Sequence, residues 1–123
     1  MKTPLVAPHT DIGVITVLRF DAGDCAALQR LRNTKIENSD IDNWVDVFLG
    51  DGNSSKDPLF IVNIGDCLSE ISNGVLPSTL HRVQPKPGLN PRNCLALFVG
   101  LNPNSQIKLE NEIVTYENWR KRK

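Results

Sequence analysis

The chain has 123 residues, of which 14 are basic and 14 are acidic, so its formal net charge is zero. A balanced charge argues against general electrostatic binding to nucleic acid or to an anionic membrane. No apolar run approaches the roughly 20 residues that a transmembrane helix needs, and the first residues do not have the pattern of a secretory signal. We expect a single domain spanning residues 1–123.

The cysteines indicate the compartment. Cys25, Cys67 and Cys94 are odd in number and lack the short paired spacing of a zinc site. They therefore predict neither a disulfide framework nor a zinc cage. Unpaired thiols are typical of a reducing environment, and we expect a cytoplasmic location.

Short apolar segments alternate with turn-forming residues along the whole chain, which predicts an all-β protein of the sandwich or barrel type. In chain order the six predicted strands are residues 12–20, 28–31, 44–48, 59–64, 78–84 and 94–101.

Two short helices complete the predicted elements. Residues 67–73 suit one or two helical turns, with Gly74 as a left-handed terminator. Residues 116–123 suit a C-terminal helix with Thr115 as its capping candidate, and the basic residues at its end favour the helix dipole.

The chain contains only two histidines, and both are candidate metal ligands. His9 and Asp11 form an HxD pair whose side chains project together if this segment is extended, and His81 lies in the fifth predicted strand. Two imidazoles and one carboxylate match the facial triad of non-haem Fe(II) oxygenases. Hydrolytic zinc sites use the same donors, although the usual HExxH helix is missing. On spacing alone, an ordinary structural role for each side chain also remains open.

Arg92 is a candidate for binding a carboxylate. It lies two residues before the sixth predicted strand and, in extended backbone, shares one face with Cys94, Ala96 and Phe98. A guanidinium group can hold a carboxylate through two parallel hydrogen bonds. On its own, Arg92 fits a solvated loop position as well.

Three segments carry a resemblance that is more specific than any single spacing: HTDIGVITVL, LFIVNIGDCLSEISNGVLPSTLHRV and RNCLALFVGLNP. In order, spacing and turn residues they resemble the C-terminal catalytic half of the isopenicillin N synthase-like family of 2-oxoglutarate- and Fe(II)-dependent oxygenases. The resemblance covers most of residues 8–103.

The resemblance implies a double-stranded β-helix, or jelly-roll, core in which His9, Asp11 and His81 bind Fe(II). It also implies that Arg92 pairs with the distal carboxylate of 2-oxoglutarate. Cys94 stands where the family usually has a serine, and a thiol is the weaker hydrogen-bond donor. The implied activity is a dioxygenase that uses O2 and 2-oxoglutarate to oxidise a small molecule, releasing succinate.

The chain departs from the family at its start, because only eight residues precede His9. Residues 94–101 are apolar on both faces, a pattern that is typical of a strand buried by other elements on both sides of its sheet. We therefore expect an incomplete jelly roll, a fragment whose uncovered apolar surface favours self-association. The alternative is a non-catalytic remnant that binds metal but does not turn over.

Overall fold

The computed structural model describes residues 5–20, 27–32, 43–47, 60–84, 87 and 93–123. Nine strands and two helices lie in these ranges. They are β1 (Val6–His9), β2 (Ile15–Phe20), β3 (Leu28–Leu31), β4 (Trp44–Asp46), β5 (Phe60–Ile64), α1 (Asp66–Ile71), β6 (His81–Val83), β7 (Cys94–Val99), β8 (Gln106–Lys108), β9 (Ile113–Thr115) and α2 (Tyr116–Lys121).

The strands form two antiparallel sheets and a hairpin. One sheet has the order β1-β6-β3-β4, the second has the order β5-β2-β7, and β8 pairs with β9. Apart from β3 and β4, which are neighbours in one sheet, consecutive strands from β1 to β7 alternate between the two larger sheets, as in a jelly roll. The predicted all-β class is confirmed.

The predicted strands differ from the observed ones mainly at their ends. β3 has the predicted bounds, whereas β2 begins at Ile15 instead of residue 12 and β6 contains only His81–Val83. Residues 12 and 13 are not in a strand because their carbonyl oxygens accept hydrogen bonds from the backbone N–H of Cys67. The predictions for residues 48 and 59 lie outside the described residues.

Three observed strands were not predicted: β1, β8 and β9. Each has only three or four residues, and β1 contains a proline, which cannot donate to a ladder. Pairing with a partner strand, rather than local propensity, therefore determines that these segments are extended.

Both helices were predicted, with small shifts in their bounds. α1 begins at Asp66, one residue earlier than expected, and ends at Ile71. Gly74 follows it with a φ of +76°, in the left-handed region expected of a terminator. The hydroxyl oxygen of Thr115 accepts a hydrogen bond from the N–H of Asn118 at 3.3 Å, which confirms the predicted cap of α2.

A small apolar core joins α1 to the C-terminal part of the chain. Its buried members are Cys67, Ile107, Val114, Tyr116 and Trp119. The rings of Tyr116 and Trp119 stack with their centroids 5.9 Å apart. This packing fixes α1 against the β8-β9 hairpin and α2, and it thereby positions the turn that precedes α1.

The three-stranded sheet presents an apolar surface to solvent. Phe60 and Val62 on β5 and Leu95 and Leu97 on β7 are 54%, 56%, 73% and 60% exposed. They share one face, because Val17 of β2 lies opposite both Val62 and Leu97. We call these four side chains the apolar face. Of the helices described, none is long and apolar enough to cross a membrane.

Candidate metal centre

The two histidines are direct neighbours across the first sheet. His9 is the last residue of β1 and His81 is the first residue of β6, and the antiparallel register places them opposite each other. Their ring centroids are 4.3 Å apart, with the ring planes inclined at 55°. The pairing of β1 with β6 therefore brings together side chains that are 72 positions apart in the sequence.

Asp11 completes the cluster from the loop that follows β1. Its Oδ1 lies 3.6 Å from the Nε2 of His9 and 3.6 Å from the Nε2 of His81. Asp11 is only 7% exposed, and its Oδ2 is buried without a hydrogen-bond partner. A buried carboxylate oxygen without a partner is costly, so this position favours a ligand that supplies positive charge.

Backbone carbonyl groups orient both imidazoles. The Nδ1 atoms of His9 and His81 lie 2.8 and 3.0 Å from the carbonyl oxygens of Ala7 and Thr79. A carbonyl can only accept, so each Nδ1 must carry the hydrogen and donate it. In the neutral ring Nε2 then keeps its lone pair, and metal-binding histidines in proteins are held in this way.

These contacts make the cluster suitable for a divalent cation. One ligand atom from each of His9, Asp11 and His81 lies within 4.8 Å of the other two. Three lone pairs converge on one point, and the 3.6 Å separations are too long for hydrogen bonds between them. A 2-His-1-carboxylate set with open positions is typical of non-haem Fe(II) sites. The donor set and the unpartnered Oδ2 both fit Fe(II).

The turn before α1 holds the loop that carries Asp11. The N–H of Asp66 donates to the carbonyl oxygen of Asp11 at 2.7 Å, and that of Gly65 donates to Val14 at 2.9 Å. A Cβ atom at Gly65 would lie 2.1 Å from the carbonyl oxygen of Gly13. Only glycine allows the two segments to approach this closely.

One side-chain contact to this loop was not foreseen from the sequence. The hydroxyl group of Thr10 donates to Oδ2 of Asp66 at 3.2 Å. A hydroxyl residue between the two ligands of an HxD pair was the available signal, but its partner could not be identified without the fold.

Cys67 follows Asp66 and is completely buried. Burial raises the pKa of its thiol, and the neighbouring Glu70 carboxylate adds to the increase, while Lys123 acts in the opposite direction. The thiol therefore stays protonated and packs as a small apolar side chain.

Of the two residues predicted to bind the cosubstrate, only Cys94 lies among the described residues. Arg92 lies outside the described residues, so its role stays a prediction. Cys94 is the first residue of β7, is exposed, and lies opposite Phe20 of β2. Its expected place beside 2-oxoglutarate also stays a prediction.

Comparison with known proteins identifies the class to which this fold and site belong. The model of the 2OG-Fe(II) oxygenase superfamily matches residues 2–101. A homoarginine-6-hydroxylase of Arabidopsis thaliana is 37% identical over 103 residues, which is 81% of this chain and 24% of that protein. A 2-oxoglutarate-dependent dioxygenase of Aspergillus rugulosus is 32% identical over 81% of this chain and 27% of its own length.

A solved structure gives the same result. The rice dioxygenase for auxin oxidation superimposes with a TM-score of 0.67 at 27% identity, covering 98% of this chain and 40% of that one. The chain belongs to the 2OG-Fe(II) oxygenase superfamily. It spans about a quarter of the length of the curated relatives it matches.

Proposed function

We propose that this chain is the catalytic jelly-roll core of an Fe(II)- and 2-oxoglutarate-dependent dioxygenase that oxidises a small molecule. His9, Asp11 and His81 bind the iron in this proposal. The observation that carries it is that two Nε2 atoms and one carboxylate oxygen lie close together without hydrogen bonds between them. Membership of the oxygenase superfamily supports the reaction type.

The protein prepares the site for the reaction by orienting the three side chains that would bind the metal. The hydrogen bonds from Nδ1 of His9 and His81 to backbone carbonyl groups keep each ring turned with Nε2 toward the centre. Asp11 supplies a negatively charged ligand that favours binding of the Fe(II) cation. Bound iron, together with 2-oxoglutarate and O2, supplies the oxidising power for hydroxylation, and 2-oxoglutarate is decarboxylated to succinate.

We assign the binding of the cosubstrate 2-oxoglutarate to Arg92 and Cys94. The resemblance of RNCLALFVGLNP to the family segment supports Arg92 as the partner of the distal carboxylate. Because a thiol donates a hydrogen bond only weakly, Cys94→Ser is expected to tighten 2-oxoglutarate binding and Arg92→Gln to weaken it. Unchanged binding in Arg92→Gln would contradict this assignment.

The test of the proposed function is spectroscopic. Anaerobic addition of Fe(II) and 2-oxoglutarate is expected to give a weak visible charge-transfer band when both chelate. His81→Ala and Asp11→Asn are expected to abolish the band, because each removes one ligand. Glu117→Gln, which removes an exposed carboxylate paired with Lys121 on α2, is the matched control and should keep it.

Turnover separates the two functional candidates. Succinate release under air, even without a prime substrate, would show that the chain is catalytic. A charge-transfer band without succinate would favour the metal-binding remnant. That the chain spans only about a quarter of the length of its curated relatives gives that alternative its support.

The cellular setting and assembly of this chain are part of the proposal. The three cysteines, odd in number and without short paired spacing, support a reducing cytoplasmic location, and residues 1–123 are proposed to form one domain. The apolar face supports self-association of the chain when it is expressed alone. The expected partners are a small-molecule substrate and O2, without nucleic acid or membrane.

A further inference from the structure

A row of cross-strand neighbours extends from the metal centre over the first sheet. His9 lies opposite His81, and His81 lies opposite Arg30 of β3, which in turn lies opposite Val45 of β4. Directly opposed residues of antiparallel strands project from the same face, with Cβ atoms about 4.5–5.5 Å apart. Arg30 therefore stands on the face of the sheet that carries the two imidazoles, next to His81.

The other face of the same strands carries a polar network. Nε of Arg82 donates to Oε1 of Gln29 at 2.9 Å, and Nε2 of Gln29 donates to Oδ1 of Asp46 at 2.9 Å. The guanidinium group of Arg82 also lies 4.2 Å from the ring centroid of Trp44. The charge of Arg82 is thus already engaged within the protein.

Arg30 has no comparable partner. Its guanidinium group donates one long hydrogen bond, 3.5 Å, to the carbonyl oxygen of Leu31, and the residue is exposed. Within the described ranges, no carboxylate lies at ion-pair distance from it. Its neighbours on the metal-binding face are apolar, namely Leu28, Val45 and Val83.

An unpaired guanidinium group beside a metal centre is suited to bind an anion. Its planar fork matches a carboxylate through two charge-assisted hydrogen bonds. The apolar neighbours would pack against the remainder of an organic acid.

We propose that Arg30 is a specificity-determining residue that binds the carboxylate group of an anionic prime substrate. This inference rests on the proposed function, and it adds the substrate class. It is separate from the role given to Arg92, whose predicted partner is the cosubstrate.

The experiment uses two probes of nearly the same shape, phenylacetate and phenylacetamide, which differ in charge. The chain is loaded anaerobically with Fe(II) and saturating 2-oxoglutarate, so that the cosubstrate occupies its own positions. Calorimetry or ligand-observed NMR then measures the affinity for each probe. We expect the acid to bind about tenfold more tightly than the amide, since a charge-assisted hydrogen bond accounts for such a ratio.

Three variants assign that preference to Arg30. Arg30→Gln is expected to abolish it, and because the side chain is exposed the fold should tolerate the change. Arg30→Lys keeps the charge and should keep part of the preference. Arg19→Gln is the matched control, since Arg19 is an exposed arginine on β2 of the other sheet, and it should behave as the wild type.

The possible outcomes separate the inference from the function beneath it. A normal charge-transfer band combined with equal binding of acid and amide would overturn the inference alone. Weaker 2-oxoglutarate binding in Arg30→Gln, with the acid preference intact, would overturn it too, by assigning the residue to the cosubstrate. Absence of the band in the wild type would overturn the proposed function itself.

Discussion

Thr10, between the two candidate ligands of the HxD pair, is hydrogen-bonded to Asp66, the first residue of α1. The Thr10 hydroxyl donates to Oδ2 of Asp66 at 3.2 Å, and the Asp66 N–H donates back to the carbonyl oxygen of Asp11 at 2.7 Å. The residue between the two ligands of the HxD pair is therefore fixed by a residue 56 positions away. We therefore expect Asp66 to act by positioning Asp11.

This contact leads to a prediction about metal affinity. Asp66→Ala is expected to weaken Fe(II) or Co(II) binding by about tenfold, the lower end of the usual effect of residues that support a metal ligand. Thr10→Val should have a similar effect, and the double variant should be little worse than either single one, because both remove the same contact. Asp66→Asn still offers an oxygen acceptor and should restore most of the affinity. Additive losses in the double variant would contradict this coupling.

A second prediction concerns Asp11 in the metal-free protein. Its Oδ2 is buried without a partner, and its Oδ1 faces the lone-pair side of two imidazoles. An amide at this position can donate to an Nε2 atom, so Asp11→Asn is expected to stabilise the metal-free chain by about 1 kcal/mol. The same change should abolish metal binding. Thermal unfolding in the presence of a chelator measures the first effect, and a lower Tm than that of the wild type would refute it.

Gly65 provides a third prediction. Since an added Cβ would lie 2.1 Å from the carbonyl oxygen of Gly13, Gly65→Ala must displace one of the two segments and with it the loop that carries Asp11. We expect a strong loss of metal affinity. The control is Gly74→Ala, where the φ of +76° makes alanine strained but nothing lies within 4 Å. It should lower the Tm by an amount corresponding to about 1 kcal/mol and leave metal affinity unchanged.

The attachment of α2 is expected to depend on pH through Glu70. Oε2 of Glu70 accepts a hydrogen bond from Nε1 of Trp119 at 2.8 Å, and Oε1 pairs with Lys123. Burial acts to raise the pKa of Glu70, but the hydrogen bonds from Lys123 and Trp119 outweigh it and lower the pKa below its usual value of 4.5. A carboxylate with a lowered pKa adds to the free energy of unfolding. This contribution is fully present above pH 4.5 and is lost as the pH falls through the folded-state pKa.

Fluorescence measures this transition, with Trp44 replaced by Phe so that Trp119 is the reporter. The emission of Trp119 should shift to the red as the pH falls below 4.5, because α2 loosens and the indole becomes hydrated. Glu70→Gln keeps an acceptor for the indole but cannot titrate, so its emission should not follow the same curve. An identical pH curve in that variant would show that titration of Glu70 does not cause the shift in emission.

The apolar face leads to a prediction about association. Leu95→Lys combined with Leu97→Lys places two charges at positions that are 73% and 60% exposed, and it is expected to reduce self-association of the isolated chain in sedimentation experiments. Val75→Lys is the control. Val75 is 78% exposed but lies outside the sheet, between α1 and β6, so its replacement should leave the association unchanged.

The candidate metal ligands could be proposed from the sequence because three segments of the chain resemble the oxygenase family, whereas the HxD spacing alone left their roles open. The longer strands could be predicted because their apolar runs are continuous, as in β2, β5 and β7. Local sequence does not determine β1, since VAPH has weak strand propensity and becomes extended through its pairing with β6.

The positions of Thr10, Asp66 and Arg30 beside the site could not be predicted for a different reason. Arg30 lies in LQRL, which in sequence resembles any half-exposed strand. Its proximity to His81 follows only from the register between β3 and β6, and a shift of one residue would move it to the opposite face. Register is set by long-range packing, which a single sequence does not reveal.

The arrangement of the ligands also has a mechanical consequence. His9 and His81 belong to the sheet that contains β1 and β6, whereas Asp11 is tied by backbone hydrogen bonds to the turn between β5 and α1. An ion bound by all three would act as a cross-link between the β1-β6 pair and the turn before α1. Loading the centre with metal should therefore slow amide exchange in β6 and in α1 together, because the bound ion would link these two regions.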